Sequence, residues 1–310
     1  MPNLAVIITG QVRTFFNINT DLRNVLSRCK AHYKTVYVIC ILNSNNIDDY
    51  TNLSEFFNSL DINVQIIDYT KYSDEYTRDS LNKFNNPAYI KFKESNPTAC
   101  ISIKDPDGYS IRHTWIQYHQ LKIGITALDK YISDSGIDFN IVCKTRFDSK
   151  YPDDFYPTMP ISNDILDILS FNQHNKKIVL DCMDKYNIKN IDDLILFNEN
   201  TRLRQGHIPV EHFPLTVGGR VCYNYKTLQN IKKTTDNILY SFNDYYFFSN
   251  KHTFMKLGNL YNDSCMYSTD NPDLSNHIFC PESQLIVYCL NNNIDIIMYS
   301  ECFYDTMIYR

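Results

Sequence analysis

Two kinds of apolar pattern alternate along the chain. LAVIIT at residues 4–9 and VYVICIL at 36–42 are unbroken apolar runs, stopped by Gly10 and by the polar loop Asn43-Ser44-Asn45-Asn46. Such runs predict strands buried on both faces. Between them, residues 21–33 place Leu22, Val25, Leu26 and Cys29 at helical spacing. Residues 53–60 predict a second helix and 64–67 a third strand. Strand, helix, strand, helix, strand is the order that builds a mostly parallel central sheet flanked by helices, an α/β fold.

The pattern then loosens. Residues 69–108 are polar and broken by Pro87, Pro97 and Pro106, an excursion carrying short helices. Residues 109–132 predict a long helix with Trp115, Tyr118, Leu121, Ile125, Leu128 and Ile132 on or near one face. FNIVCKTRFD at 139–148 is a fourth strand whose end delivers Arg146 and Asp148. Weaker signals predict a strand at 178–180 and a helix at 191–200. Strands follow at 217–223 and 244–248, each leading into a helix (226–238 and 253–261). A helix at 281–291 opens on Pro281, and a last strand covers 294–299. No repeat and no linker interrupts this order, so a single domain spans 1–310, with 1–150 and 151–310 as its halves.

Composition narrows the functions. Of 310 residues, 44% are hydrophobic and 21% charged, ordinary for a globular chain. A net charge of −5 and a pI near 5.9 argue against nucleic acid as a partner but leave room for a local basic pocket around a phosphate. The ten cysteines form no CxxC pair, and several sit inside apolar runs; they predict free buried thiols in a reducing compartment. MPNLAVIITGQ has no basic leader, and no stretch reaches the 18 or so apolar residues of a membrane span. The expectation is a cytoplasmic protein without a membrane span.

Ligands of open parallel sheets bind beyond the carboxyl ends of the strands. Three tips carry candidate chemistry there: Gly10-Gln11-Val12-Arg13, Asn43-Ser44-Asn45 and Arg146-Phe147-Asp148. Gly10 permits a tight turn and close approach of a ligand. Arg13 offers a planar fork to a phosphate, or pairs at the surface with Asp21. Neither GxGxxG nor a P-loop is present. Asp148 offers hard oxygens to Mg²⁺ or Mn²⁺, which would bridge a diphosphate; the plainer alternative is an Arg146–Asp148 ion pair capping the strand. Lys122, on the long helix, is placed to reach a nucleotide, whereas its neighbour Tyr118 packs. Asp244 opens an aromatic strand where a carboxylate faces sugar hydroxyls. Glu282 stands in the first turn of an apolar helix, either as a general base or as an ordinary helix-start acid.

In order along the chain, AVIITGQVRTF (5–15), TWIQYHQLKIGITAL (114–128) leading to CKTRFD (143–148), NDYYFFSNKHTFMKLGNLY (243–261) and PESQL (281–285) resemble a known group. They are similar to the GT-A-type glycosyltransferases of bacterial lipopolysaccharide synthesis (the WavE-like group) and relatives encoded by giant and algal viruses. The resemblance implies a GT-A-like fold with a Rossmann-type sheet, binding a nucleotide-sugar in the 1–150 half and an acceptor in the 151–310 half. It implies a UDP-linked donor, a glycan or glycoprotein acceptor, and Mn²⁺ or Mg²⁺ held by Asp148. Gly10, Gln11 and Arg13 would line the nucleotide pocket, Asp244 would orient the donor sugar, and Glu282 would act on the acceptor. The family's metal motif is Asp-x-Asp, and here Arg146 replaces its first aspartate. A viral member would work in the host-cell cytoplasm. Two rivals stand beside this expectation: a nucleotidyltransferase, whose glycine-rich loop TGQVRTF matches poorly, and a non-catalytic glycan-binding protein of the same fold.

Overall fold

The computed structural model describes residues 1–10, 12, 15–84, 87, 90, 109–149, 151, 156–158, 180–181, 183–185, 187–189, 193, 207–209, 214–216, 237–241, 246–263, 284–285, 288–289 and 291–298. The first half folds as the apolar runs predict. Strands β1 (Asn3–Gly10), β2 (Thr35–Leu42), β3 (Asn63–Asp68) and β4 (Ile141–Arg146) pair in parallel, with β1 between β2 and β4. Residues 4–9 of β1 and 36–42 of β2 are buried, as continuous Val/Ile/Leu runs demand when helices cover both faces.

Helix α1 (Phe15–His32) buries Leu22, Val25, Leu26 and Cys29, the one-face set expected, but begins six residues before the apolar spacing starts. Helix α2 (Ile47–Ser59) starts at Asn46, whose side chain accepts from Asp48 N at 3.1 Å, and buries Leu53, Phe56 and Phe57. Lys30 ties the end of α1 to the turn after α2, donating to the carbonyls of Leu60 and Asp61 and to the Asp61 carboxylate. A 3-10 turn (Tyr69–Tyr72) and helix α3 (Ser73–Phe84) open the polar excursion; its residues 91–108 lie outside the described residues.

Helix α4 (Tyr109–Ser135) packs on the other side of the sheet from α1. A Cβ on its Gly124 would stand 2.5 Å from Ile7 Cγ2, so the glycine sets how closely α4 approaches β1. Tyr131 of α4 stacks on Tyr37 of β2 at 3.8 Å. Gly136, at φ +68°, ends the helix with its N–H on the carbonyl of Ile132. Alternation along the strands then assigns faces. Ile7 meets α4, so Thr9 and its register partner Arg146 share that face. Phe147 turns to the α1 face, its ring 5.5 Å from that of Phe15.

The second half completes the same sheet. Strands β5 (His207–Pro209) and β6 (Pro214–Thr216) form a separate pair, while β7 (Ile238–Ser241), β8 (Phe247–Asn250) and β9 (Asp295–Met298) extend the main sheet to seven strands, ordered β3-β2-β1-β4-β8-β7-β9. β8 runs antiparallel to β4 and β7, and β7 is parallel to β9, so the sheet is mixed but mostly parallel. Lys144 is buried in this seam, its ammonium 5.4 Å above the Phe247 ring. Helices α5 (Lys251–Lys256) and α6 (Leu260–Asp263), joined by a 3-10 turn, replace the single helix expected at 253–261.

Several expectations are corrected. The helix expected to end at 238 gives way to β7, because Ile238-Leu239-Tyr240 pairs with β9. The strand expected at 244–248 lies at Phe247–Asn250. Leu180, expected in a strand, is helical. The expected strand at 217–223 lies outside the described residues. Among the described residues, no helix is long and apolar enough to cross a membrane. Cys29, Cys40, Cys143 and Cys289 are buried and in no disulfide; burial pushes the Cys143 thiol up to about 12, leaving no reactive thiolate there.

Candidate functional site

Parallel pairing brings the carboxyl ends of β1, β2, β3 and β4 to one edge of the sheet. The strand order reverses between β1 and β4, the switch point at which open α/β sheets leave a crevice. Gly10 ends β1 with φ +112°, a backbone conformation L side chains rarely adopt. A Cβ there would meet nothing within 4 Å, so conformation rather than space requires the glycine. Val12, expected at the ligand, is 4% exposed and belongs to the core; its carbonyl accepts from Phe15 N at 2.9 Å and starts α1. Asn43 is half-buried just past β2. Next to it, the tips of β2 and β3 are joined through Tyr50, whose hydroxyl contacts the Ser44 carbonyl at 3.1 Å and Asp68 Oδ1 at 2.9 Å.

Arg146 and Asp148 hold each other. Arg146 Nε donates to Asp148 Oδ1 and Nη2 to Oδ2, both at 2.8 Å, a bidentate fork. The Asp148 side chain is 7% exposed and that of Arg146 is 27% exposed. The spacing of two residues works because Arg146 is the last strand residue, Phe147 plugs into the α1 face, and the turn Ser149 N to Arg146 O folds Asp148 back. In register with Arg146 and on the same face of the sheet, Thr9 has its hydroxyl buried without a hydrogen-bond partner.

This arrangement bears on the expected Mn²⁺ or Mg²⁺. A divalent cation and a bidentate guanidinium compete for the same two oxygens, and their like charges repel. The described residues therefore do not fit a divalent metal at Asp148 as they stand; the cationic group at this tip is Arg146. Asp244 and Glu282, the remaining carboxylates expected at the site, lie outside the described residues, as do Gln11 and Arg13.

Lys122 lines a cavity together with Asp68, the last residue of β3. Its ammonium lies 3.4 Å from Asn262 Oδ1 and 5.5 Å over the Tyr261 ring. One turn earlier is His119, a residue the sequence did not single out. It is fully buried, with Nδ1 2.9 Å from the Tyr69 hydroxyl and Nε2 3.6 Å from Glu75 Oε1. Burial lowers its pKa below the ordinary value of 6.5, outweighing the opposing pull of Glu75. The rings of Tyr69, Tyr76 and Tyr261 surround it. Gln284 was also passed over: it is fully buried, and neither its amide nitrogen nor its oxygen has a partner. The only sequence signal for it was its position in PESQL, two residues after Glu282.

No protein-family model matches the chain, and no curated protein matches it.

Proposed function

We propose that this chain is a GT-A-type glycosyltransferase that moves a sugar from a nucleoside diphosphate, UDP in the simplest case, to a glycan or glycoprotein acceptor. One observation carries the reading. At the β1/β4 switch point, Gly10, with its positive φ, follows Thr9, the register partner of Arg146, whose guanidinium is held by Asp148; the Thr9 hydroxyl is buried without a hydrogen-bond partner. A turn that brings backbone close to a ligand, next to an immobilised cation, suits a diphosphate. The four segments that resemble this enzyme group support the same reading.

In this reaction an acceptor hydroxyl oxygen bonds to the anomeric carbon. The bond from that carbon to the β-phosphate oxygen breaks, and the nucleoside diphosphate leaves with the electron pair. Arg146 acts on the charge growing on that diphosphate, and Asp148 keeps the guanidinium aimed. Glu282 takes the acceptor proton, and Asp244 orients the donor sugar. With Glu282 as base the anomeric centre inverts. A second reading, a glycan-binding protein that has lost transfer, is favoured by the occupation of both Asp148 oxygens by Arg146.

The test is release of UDP or GDP from a panel of nucleotide-sugars with candidate acceptors, run with and without EDTA. Acceptor-dependent release that drops at least about 100-fold in Glu282→Gln supports transfer with this base. Binding without release supports the second reading, and pyrophosphate release from nucleoside triphosphates would replace both with a nucleotidyltransferase. Retention of the donor anomer in the product, read by NMR, would remove Glu282 from its role.

A further inference from the structure

His119 joins three elements to α4. Its ring lies 5.7 Å from that of Tyr69 in the 3-10 turn, 5.6 Å from Tyr76 in α3 and 4.7 Å from Tyr261 in α6. Among the described residues, Tyr76 and Ser80 are the buried side chains of α3, and Tyr69 is that of the turn. The hold on α3 is therefore small and gathers around this imidazole. α4 has its own anchors: Trp115, Tyr118, Leu121 and Leu128 are buried, and Gly124 lies against Ile7. The turn is fixed at its start, where Asp68 accepts from Thr70 N at 3.0 Å and from the Thr70 hydroxyl at 2.6 Å. A segment hinged at its start and held along its length by one small cluster can open without the sheet.

A proton on His119 breaks that cluster. The imidazole is fully buried, with Nδ1 2.9 Å from the Tyr69 hydroxyl and Nε2 without a hydrogen bond. Glu75 Oε1, at 3.6 Å, is beyond hydrogen-bond reach of Nε2. Whichever nitrogen carries the proton in the neutral ring, the doubly protonated ring must donate from both. The Tyr69 oxygen then becomes the acceptor for Nδ1, its own hydrogen needs another acceptor, and Nε2 has none in reach. Charges of both signs stand around the ring. Glu75 and Asp79 of α3 favour the imidazolium, and Lys122, one turn along α4, opposes it. Asp68, Lys71 and Lys130 line the same cavity as His119. Burial outweighs the two acids, so the charged ring is better off in water.

We infer that α3 is a latch hinged at the 3-10 turn, closed on α4 by neutral His119 and released when His119 takes a proton. Release opens the cavity of about 560 Å³ beside β3, part of whose wall is Lys71, Tyr72 and Glu75. The latch is set by packing around one imidazole and does not depend on the transfer reaction proposed above.

The experiment is amide hydrogen exchange of the intact chain at pH 7.5 and 5.5. It is read by mass spectrometry in peptides from α3, β1 and β2 and corrected for intrinsic rates. At pH 7.5 the α3 amides should exchange at least about tenfold faster than those of the two strands, as a separately opening unit does. At pH 5.5 α3 should open more often by up to about tenfold, the most that one group of unfolded pKa 6.5 allows over this interval. His119→Gln should abolish that dependence. Glu75→Gln, at a partly exposed side chain, should keep it, and carries the test if His119→Gln does not fold. Exchange in α3 less than about tenfold faster than in the strands overturns the inference. A pH effect under about twofold does so too. Dependence that survives in His119→Gln, or that vanishes in Glu75→Gln, would place the titrating group elsewhere and also overturns it.

Discussion

The Arg146–Asp148 fork makes a prediction that can be worked from its geometry. Exposed ion pairs couple by about 0.2–1 kcal/mol, and breaking a buried pair costs about 3–5 kcal/mol. With side chains 7% and 27% exposed and two bonds of 2.8 Å, this pair lies between those limits. A double-mutant cycle of Arg146→Gln, Asp148→Asn and the double variant should give a coupling of about 2 kcal/mol. Urea unfolding measures it, with the slope unchanged across the four proteins so that midpoints report stability. Because the carboxylate is buried, raising the salt to about 0.5 M should remove only a minor part of the coupling. A coupling under about 0.5 kcal/mol would mean that the fork behaves as an exposed ion pair. The guanidinium would then be solvated at the tip, and Asp148 would be open to a metal after all.

Two further outcomes follow from packing and burial. His119 has a folded pKa below its unfolded value of 6.5, so under pH 6.5 the unfolded chain binds a proton that the folded chain does not. Stability therefore falls as pH drops, by up to about 1.4 kcal/mol per pH unit until the folded pKa is reached. Urea midpoints of wild type and His119→Phe at pH 7.5 and 5.5 should differ in that dependence; equal slopes would place the imidazole in water. Gly124→Ala should destabilise by up to about 2 kcal/mol, since overpacking costs about 1–3 kcal/mol and helix propensity returns about 1. Ile7→Ala removes the Cγ2 that the new methyl meets, so Gly124→Ala should turn stabilising in that background; thermal melts that show stabilisation in the wild-type background instead would refute the close approach.

The first four strands and the long helix were legible because each is an unbroken apolar run or a sustained helical stripe. Elsewhere local pattern underdetermined the outcome. The start of α1 was hidden by the polar residues Asn17, Asn19 and Thr20, which precede the first repeating apolar set. The short run Ile238-Leu239-Tyr240 fits the end of a helix as well as a strand, and its pairing with β9, 57 residues downstream, decided the matter. In NDYYFFSN the aromatic run is continuous, so the strand's start within it was invisible.

The site divides in the same way. Gly10 and the Arg146/Asp148 spacing were visible as a strand tip, and the ion-pair alternative was already readable there. That the two close into a fork depends on Phe147 anchoring against Phe15, a contact across 132 residues of chain. His119 gave no signal because its burial is assembled from Tyr69, Tyr76 and Tyr261, which come from three separate segments. In sequence it is one polar residue among many on an amphipathic helix.

The central claim is that the β1/β4 tip grips the diphosphate of an activated sugar through Arg146. Calorimetric titration of UDP and GDP, in EDTA, into wild type and Arg146→Ala tests it most directly. Measurable binding of one of them is expected without metal, weakened at least about tenfold in Arg146→Ala. No binding heat from either nucleotide, or binding that Arg146→Ala leaves unchanged, would contradict it.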